Sequence, residues 1–261
     1  MKISRIWISF FFFSIIVSTQ FSFAQVNKAP NLKYHDYEPY FFGFILAANQ
    51  MDFVINTREG FQQLYIPVDS LPTDMQLANV DSASVYGITS TPNLGFTVGI
   101  VGDLRLGKYF NFRFIPSLAF GNRILNYDIR LHKSDTFDTI VSNQKVSSTF
   151  IELPMLLKFR SARIHNFRAY VIGGVKYSFD LASQANKKDE IRNYDPKLYR
   201  TDTQITGGAG MDFFMNWFKF GVELTMSYGL RDMLLQEGSI YTNGIESLKS
   251  KIFMLTFTFE G

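Results

Sequence analysis

Three features of the sequence predict an all-β chain, an eight-stranded antiparallel up-and-down β-barrel that crosses a membrane. Apolar residues recur at every second position over runs of about ten residues or more. Connections between those runs alternate long and short. Each run sets a phenylalanine-rich face against a face of glycine, hydroxyls and charges of both signs. The clearest run is LGFTVGIVGDLRLGKYFNFRFIPSLAFGNR, residues 94–123. Phe96, Val98, Ile100 and Leu104 share one phase before Gly107-Lys108-Tyr109, and Phe110, Phe112, Phe114, Leu118 and Phe120 resume it afterwards. Period-two alternation on both sides of a tight turn is a β-hairpin, and strands of this length suit a tilted membrane crossing.

Composition narrows the class. The 261 residues include 28 Phe and 13 Tyr but no Cys, which excludes disulfides, thiol catalysis, thiolate metal sites and a lipidated N-terminal cysteine. At the N-terminus Lys2 and Arg5 precede an apolar run over 6–17 and then Ser22-Phe23-Ala24, the pattern of an export signal cleaved before Gln25. The expected organisation is a signal peptide at 1–24, a periplasmic lead-in at 25–39 and the barrel at 40–261. The mature chain would hold 24 basic against 23 acidic residues. That balance gives no reason to expect nucleic acid as a partner.

In chain order, the lead-in is polar with Pro30 and Pro39. Strand one is YFFGFILAAN, 40–49, with Phe42, Phe44, Leu46 and Ala48 on one face, and the following MDFVIN could prolong it. A long loop over 50–93 contains Pro67, Pro72 and Pro92. Strands two and three are the hairpin above. After Ile124 the apolar phase passes to Tyr127, Ile129 and Leu131, which marks a bulge or the end of the span, with a second loop over 125–147. Strand four covers 149–160, a turn 161–166, strand five 167–181, and a charged loop 182–203 with Lys187-Lys188-Asp189-Glu190. Strand six covers 204–215, Asn216-Trp217 turns, strand seven covers 218–230 and a fourth loop 231–249. Phe253, Leu255, Phe257 and Phe259 mark strand eight. Short turns at one end and longer loops at the other are the pattern of an outer-membrane barrel, here with both termini periplasmic. Pro116 and Pro154 oppose it, because proline donates nothing to a ladder and a closed barrel has no edge to hide it.

Strand parity divides the residues into two sets. Phe112, Phe114, Leu153, Val171, Leu224 and Phe257 should face lipid. Asp103, Arg105, Arg113, Arg123, Glu152, Lys158, Arg168, Lys176, Asp212, Lys219 and Glu223 should face the interior and pair there. Glu152 is expected to bridge Arg123 and Lys176. A soluble ligand-binding barrel would have to line its cavity with the phenylalanines, more than such a cavity accommodates.

The segments YFFGFILAAN, NLGFTVGIVGDLRLGKYFNFRFIPSLAFG, FIELPMLLKFR, RAYVIGGVKYSFDLAS and the terminal FTFEG resemble the PorT family of outer-membrane barrels of the Bacteroidota. That resemblance covers the chain from about residue 40 to its end. It implies a component of the type IX secretion system, in some species linked to gliding, with other components of that system as partners and no catalytic motif. The residues themselves indicate no cofactor, no metal-ligand spacing and no small-molecule substrate. His35, His132 and His165 lie in the lead-in, a loop and a turn, and the glycines at 207, 208 and 210 sit inside a strand with no phosphate-loop lysine. Two other classes stand beside a secretion component. One is a passive small-solute porin or a structural barrel of unrelated role. The other is an outer-membrane enzyme, which would need a histidine beside a serine or aspartate.

Overall fold

The computed structural model describes residues 30–72, 75, 80–133, 136–182 and 196–261, within which one compact unit spans Asn31–Gly261. The expected signal segment, and the Lys187–Glu190 run of the third loop, lie outside the described residues. Ten strands form one antiparallel sheet: β1 (Tyr40–Thr57), β2 (Ile66–Pro67), β3 (Ser82–Arg105), β4 (Phe110–Phe114), β5 (Ser117–His132), β6 (Phe137–Arg160), β7 (Phe167–Asp180), β8 (Thr201–Phe214), β9 (Lys219–Gly229) and β10 (Ile245–Glu260). Because β1 pairs with β10 on one side and β3 on the other, the sheet closes on itself as an up-and-down barrel. No helix among the described residues is long and apolar enough to cross a membrane.

The expected eight strands become ten for two physical reasons. β2 is a two-residue addition inside the first connection, paired to β3 at Ile66 and Ala83. β4 and β5 follow one line between β3 and β6 but are separated at Ile115 and Pro116. Both prolines fall at this break. Ile115 donates its N–H to the Pro154 carbonyl at 3.2 Å, and Ile100 donates to the Pro116 carbonyl at 3.0 Å. Neither proline can return a hydrogen bond. The pairing continues in step across the gap, with Phe114 opposite Met155 and Ser117 opposite Glu152, so no bulge is needed. Two ladder bonds are lost, at about 0.5–1.5 kcal/mol each.

The strands outrun the membrane. β3 and β6 each have 24 residues, more than twice the roughly 10 that a tilted crossing needs. The first connection therefore shrinks from the expected 50–93 to 58–81, and Pro92 lies within β3. The second, expected over 125–147, is a turn between His132 and Phe137 at the tip of a tall hairpin. The third and fourth reduce to 181–200 and 230–244.

Of the two causes expected for the phase change after Ile124, a bulge or the end of the span, the bulge is absent from β5. β5 stays in step: Ser117, Ala119, Arg123, Leu125, Tyr127, Ile129 and Leu131 are all buried on one continuous inner face. What changes is the chemistry of the inside. Below Arg123 the inner face is largely polar and the outer face apolar; above it Leu125, Tyr127, Ile129 and Leu131 join an apolar core with Leu71, Ile240 and Leu248. The upper part follows the logic of a water-soluble sheet, with apolar residues inside, and forms a cap on the barrel. The irregularities sit in the partner strand, as register shifts in β3 between Val85 and Gly87 and between Pro92 and Phe96.

This inversion makes a prediction. Ile129→Asp places an unpaired charge in the apolar cap and should cost about 3–5 kcal/mol there. Limited proteolysis of the purified protein should then cut the cap strands and spare the barrel below. Uniform resistance would mean that the cap does not depend on an apolar interior.

Candidate functional site: a charge-filled barrel interior

Inward parity places the site. Even-numbered residues of β6, β7, β8 and β10, and odd-numbered residues of β4, β5 and β9, point into the barrel, as do the odd-numbered residues of lower β3. Of the expected interior charges, Asp103, Arg113, Arg123, Glu152, Lys158, Arg168, Lys176, Asp212, Lys219 and Glu223 are buried. Arg105 is half-buried at the end of β3, with Nε donating to the Gly107 carbonyl at 3.2 Å. The outward set also falls on the expected side: Phe112, Phe114, Val171 and Leu224 are exposed, and Leu153 and Phe257 are half-buried on the outer face.

Arg113 organises the end nearer the short turns. Its Nη1 lies 2.9 Å from Glu223, its Nη2 2.7 Å from Glu260 and its Nε 3.5 Å from Asp103. Lys219 shares Glu260, at 2.5 Å, and Lys158 pairs with Asp212 at 2.8 Å. Tyr170 donates to Glu223 at 2.9 Å while its ring lies 3.6 Å from Lys158 Nζ. Gly210 makes room for that ring, since a Cβ there would come within 2.5 Å of it. Glu260 was missed among the expected charges, although its parity with Thr256 and Thr258 places it on the inner face.

Higher up, Lys176 binds Glu152 at 2.8 Å as expected, but Arg123 does not join them. Glu152 stands opposite Ser117 on β5, whereas Arg123 stands opposite Val146, well along the strand. Arg123 instead donates to Ser148 at 2.9 Å and Ser250 at 3.2 Å, between the rings of Phe53 and Phe150. Between the two ion clusters a cavity of about 20 Å³, bordered by Ile115, Pro154 and Thr225, has room for about one water molecule.

The lead-in closes the turn end. Asn31 donates its backbone N–H to Asn166 at 2.8 Å and its side-chain amide to the Phe214 carbonyl at 3.0 Å. Asp36 meets Arg168 at 2.8 Å, and the His35 ring stacks on Phe41 with centroids 3.8 Å apart. Residues before a strand carry no periodicity that could have revealed this. Burial, with Lys219 nearby, lowers the His35 pKa to about 4.

One Ser–His contact exists. Ser84 Oγ lies 2.9 Å from His132 Nε2, between β3 and the end of β5 rather than in a loop. Ser84 is 3% exposed, closed to a substrate, and no carboxylate among the described residues forms an ion pair with His132. His165 stands in the 161–166 turn with φ 54°. No cluster of three or more metal-ligating side chains occurs among the described residues.

The family model for outer membrane protein beta-barrel domains matches residues 23–235. Among solved structures, the outer membrane protein OprG from Pseudomonas aeruginosa aligns with a TM-score of 0.39 at 12% identity, over 84% of this chain and 95% of that one. The enduracididine biosynthesis enzyme MppR with HEPES bound aligns with a TM-score of 0.17 at 6% identity, over 91% and 96%. At those scores neither likeness bears on the fold. No curated protein matches the chain.

Two predictions follow from the geometry. Arg113→Ala leaves Glu223 buried with no cation and Glu260 with Lys219 alone, and should cost about 3–5 kcal/mol, more than the double change Arg113→Met, Glu223→Gln, which keeps Glu260 paired with Lys219. Urea unfolding in lipid vesicles measures both, and equal losses would show that the ion cluster is not the source. For His35, the folded state favours the neutral ring, so the unfolded state takes up the proton first. Its contribution is complete above pH 6.5 and is lost as pH falls toward about 4. Protease cleavage of the lead-in should rise across that window, and His35→Phe should flatten the dependence.

Proposed function

The chain belongs to the outer membrane protein beta-barrel domain family, and from that premise we propose that it is a non-enzymatic component of the type IX secretion system, as its resemblance to the PorT family implies. The observation that carries this reading is the occupied interior. Arg113, Arg123, Lys158 and Lys176 are fully buried across the bore, and the apolar core fills the cap above them. A barrel filled in this way acts through its surfaces. The ten strands act as eight crossings, with β4 and β5 as one broken crossing and β2 as an attachment to the cap. In this reading the termini and short turns face the periplasm, the cap faces outward, and the exposed Phe and Leu side chains of the lower barrel meet lipid.

The first connection is the proposed contact region, narrowed by its own packing. Ile66 and Leu71 are buried in the cap core, which leaves Leu64, 43% exposed, and Tyr65, 62% exposed with one edge against the His132 ring, as its exposed large apolar side chains among the described residues.

Deleting the gene should trap secreted cargo in the periplasm. Leu64→Ser with Tyr65→Ser should do the same while the barrel stays folded; normal secretion from that double variant would remove the connection from the contact. Planar-bilayer recordings of the purified protein should show no conductance steps, and steady single-channel steps would favour a porin. Leu224→Arg, at a position 61% exposed on the lower wall, should cost roughly 2–4 kcal/mol in a bilayer.

A further inference from the structure

Among the described residues, the upper half of β6 is an edge. β6 and β7 pair up to Phe150 opposite Asp180, and one further bond runs from the Leu181 N–H to the Thr149 carbonyl at 2.8 Å. Above that level β6 continues from Thr149 back to Phe137, paired on one side with β5 as far as His132 opposite Phe137. No strand among the described residues pairs with its other side. The exposed length is roughly 35–40 Å of extended backbone.

The direction of each backbone group can be assigned. Ile115 donates to Pro154 across the β5–β6 register, so even-numbered residues of β6 bond toward β5. Leu181 donates to Thr149 on the other side, so odd-numbered residues bond away from β5. Thr139, Val141, Asn143, Lys145 and Ser147 therefore hold out their N–H and C=O groups along the edge. Proteins usually block such an edge with proline, a bulge or several lysines. This one has no proline, keeps a constant register with β5, and carries one lysine, Lys145. Asp138 is engaged by Lys133.

We propose that this edge is a docking strand, and that a second polypeptide adds an extended acidic segment to it by β-augmentation. The backbone ladder supplies the bonding, and the side chains set the chemistry. On the outer face Val141 is 64% exposed and Lys145 is exposed. One strand further in, the Arg130 guanidinium lies 3.8 Å from the Tyr86 ring and 5.2 Å from the Phe137 ring, with no carboxylate ion pair among the described residues. Acidic side chains on the outer face of the added strand would meet Lys145 and Arg130. Apolar ones on its inner face would extend the row of Ile140 and Val146, which pack against the cap core.

The test is amide hydrogen exchange on the full chain in lipid nanodiscs, with a peptide of about ten residues alternating valine with aspartate as probe. In the free protein the amides of Thr139, Val141, Asn143 and Lys145 should exchange fast, and those of Ile140, Ser142 and Gln144 slowly. Adding the probe should slow the first set by roughly tenfold or more. Val141→Pro should abolish that protection without lowering the melting temperature, because its N–H takes no part in the β5 ladder, whereas Val141→Thr should keep it. Protection already present in the free protein and lost on deleting residues 183–195 would assign the edge to the chain's own loop and overturn the proposal. Protection that grows with protein concentration would assign it to a second copy, with the same effect. No protection at millimolar peptide would overturn it outright. None of these readouts depends on secretion, so the proposal and the secretion role can fail separately.

Discussion

A guanidinium enclosed by a barrel cannot give its charge to water, and Arg113 places it on carboxylates from three other strands. Asp103 comes from β3, Glu223 from β9 and Glu260 from β10, so one side chain on β4 links its own wall to the opposite one. The remaining charges are arranged around this contact. Lys219 takes the second oxygen of Glu260, Tyr170 holds Glu223 in place, and Lys158 pairs with Asp212 beside the same ring. Desolvating so many charges is costly, and the pairs offset that cost only while the geometry is kept. Such an arrangement favours one specific closed sheet over alternative registers, since a slip by one residue would send every charge to the outer face.

Much of this was legible in the sequence because a strand has a period of two. Parity alone assigns Arg113, Glu223 and Lys158 to the inside, and Leu224 and Val171 to the outside. Parity does not encode depth. Glu152 and Arg123 were expected to meet by counting along strands, but the stagger of β5 against β6 sets Ser117 opposite Glu152 and carries Arg123 well past it. The cap was hidden for a related reason. Its inner residues keep the same phase as those below, and only their chemistry reverses, which in the sequence reads equally as a bulge or as the end of the span. Asp36 and His35 belong to an aperiodic segment, and only folding brings them to Arg168 and Phe41.

The prolines show how a local rule can be broken without loss of the fold. Pro116 and Pro154 occupy adjacent strands at one level, where Ile115 separates β4 from β5. Concentrating both missing donors there confines the damage to one point of the wall, and the unchanged register on either side lets the inner faces continue.

The reversal of polarity at Arg123 also fixes how high the protein rides. Below that level the outer wall is matched to hydrocarbon, with Leu118 exposed on β5; above it the outer wall carries Asn126, Asp128 and Arg130. A barrel pushed deeper would drag amides and charges into the bilayer, and one pulled outward would bare phenylalanine to water. Two opposing solvents thus act as a detent along the membrane normal, and a partner pulling on the cap would meet the stiffness of the whole membrane before it moved the barrel through it.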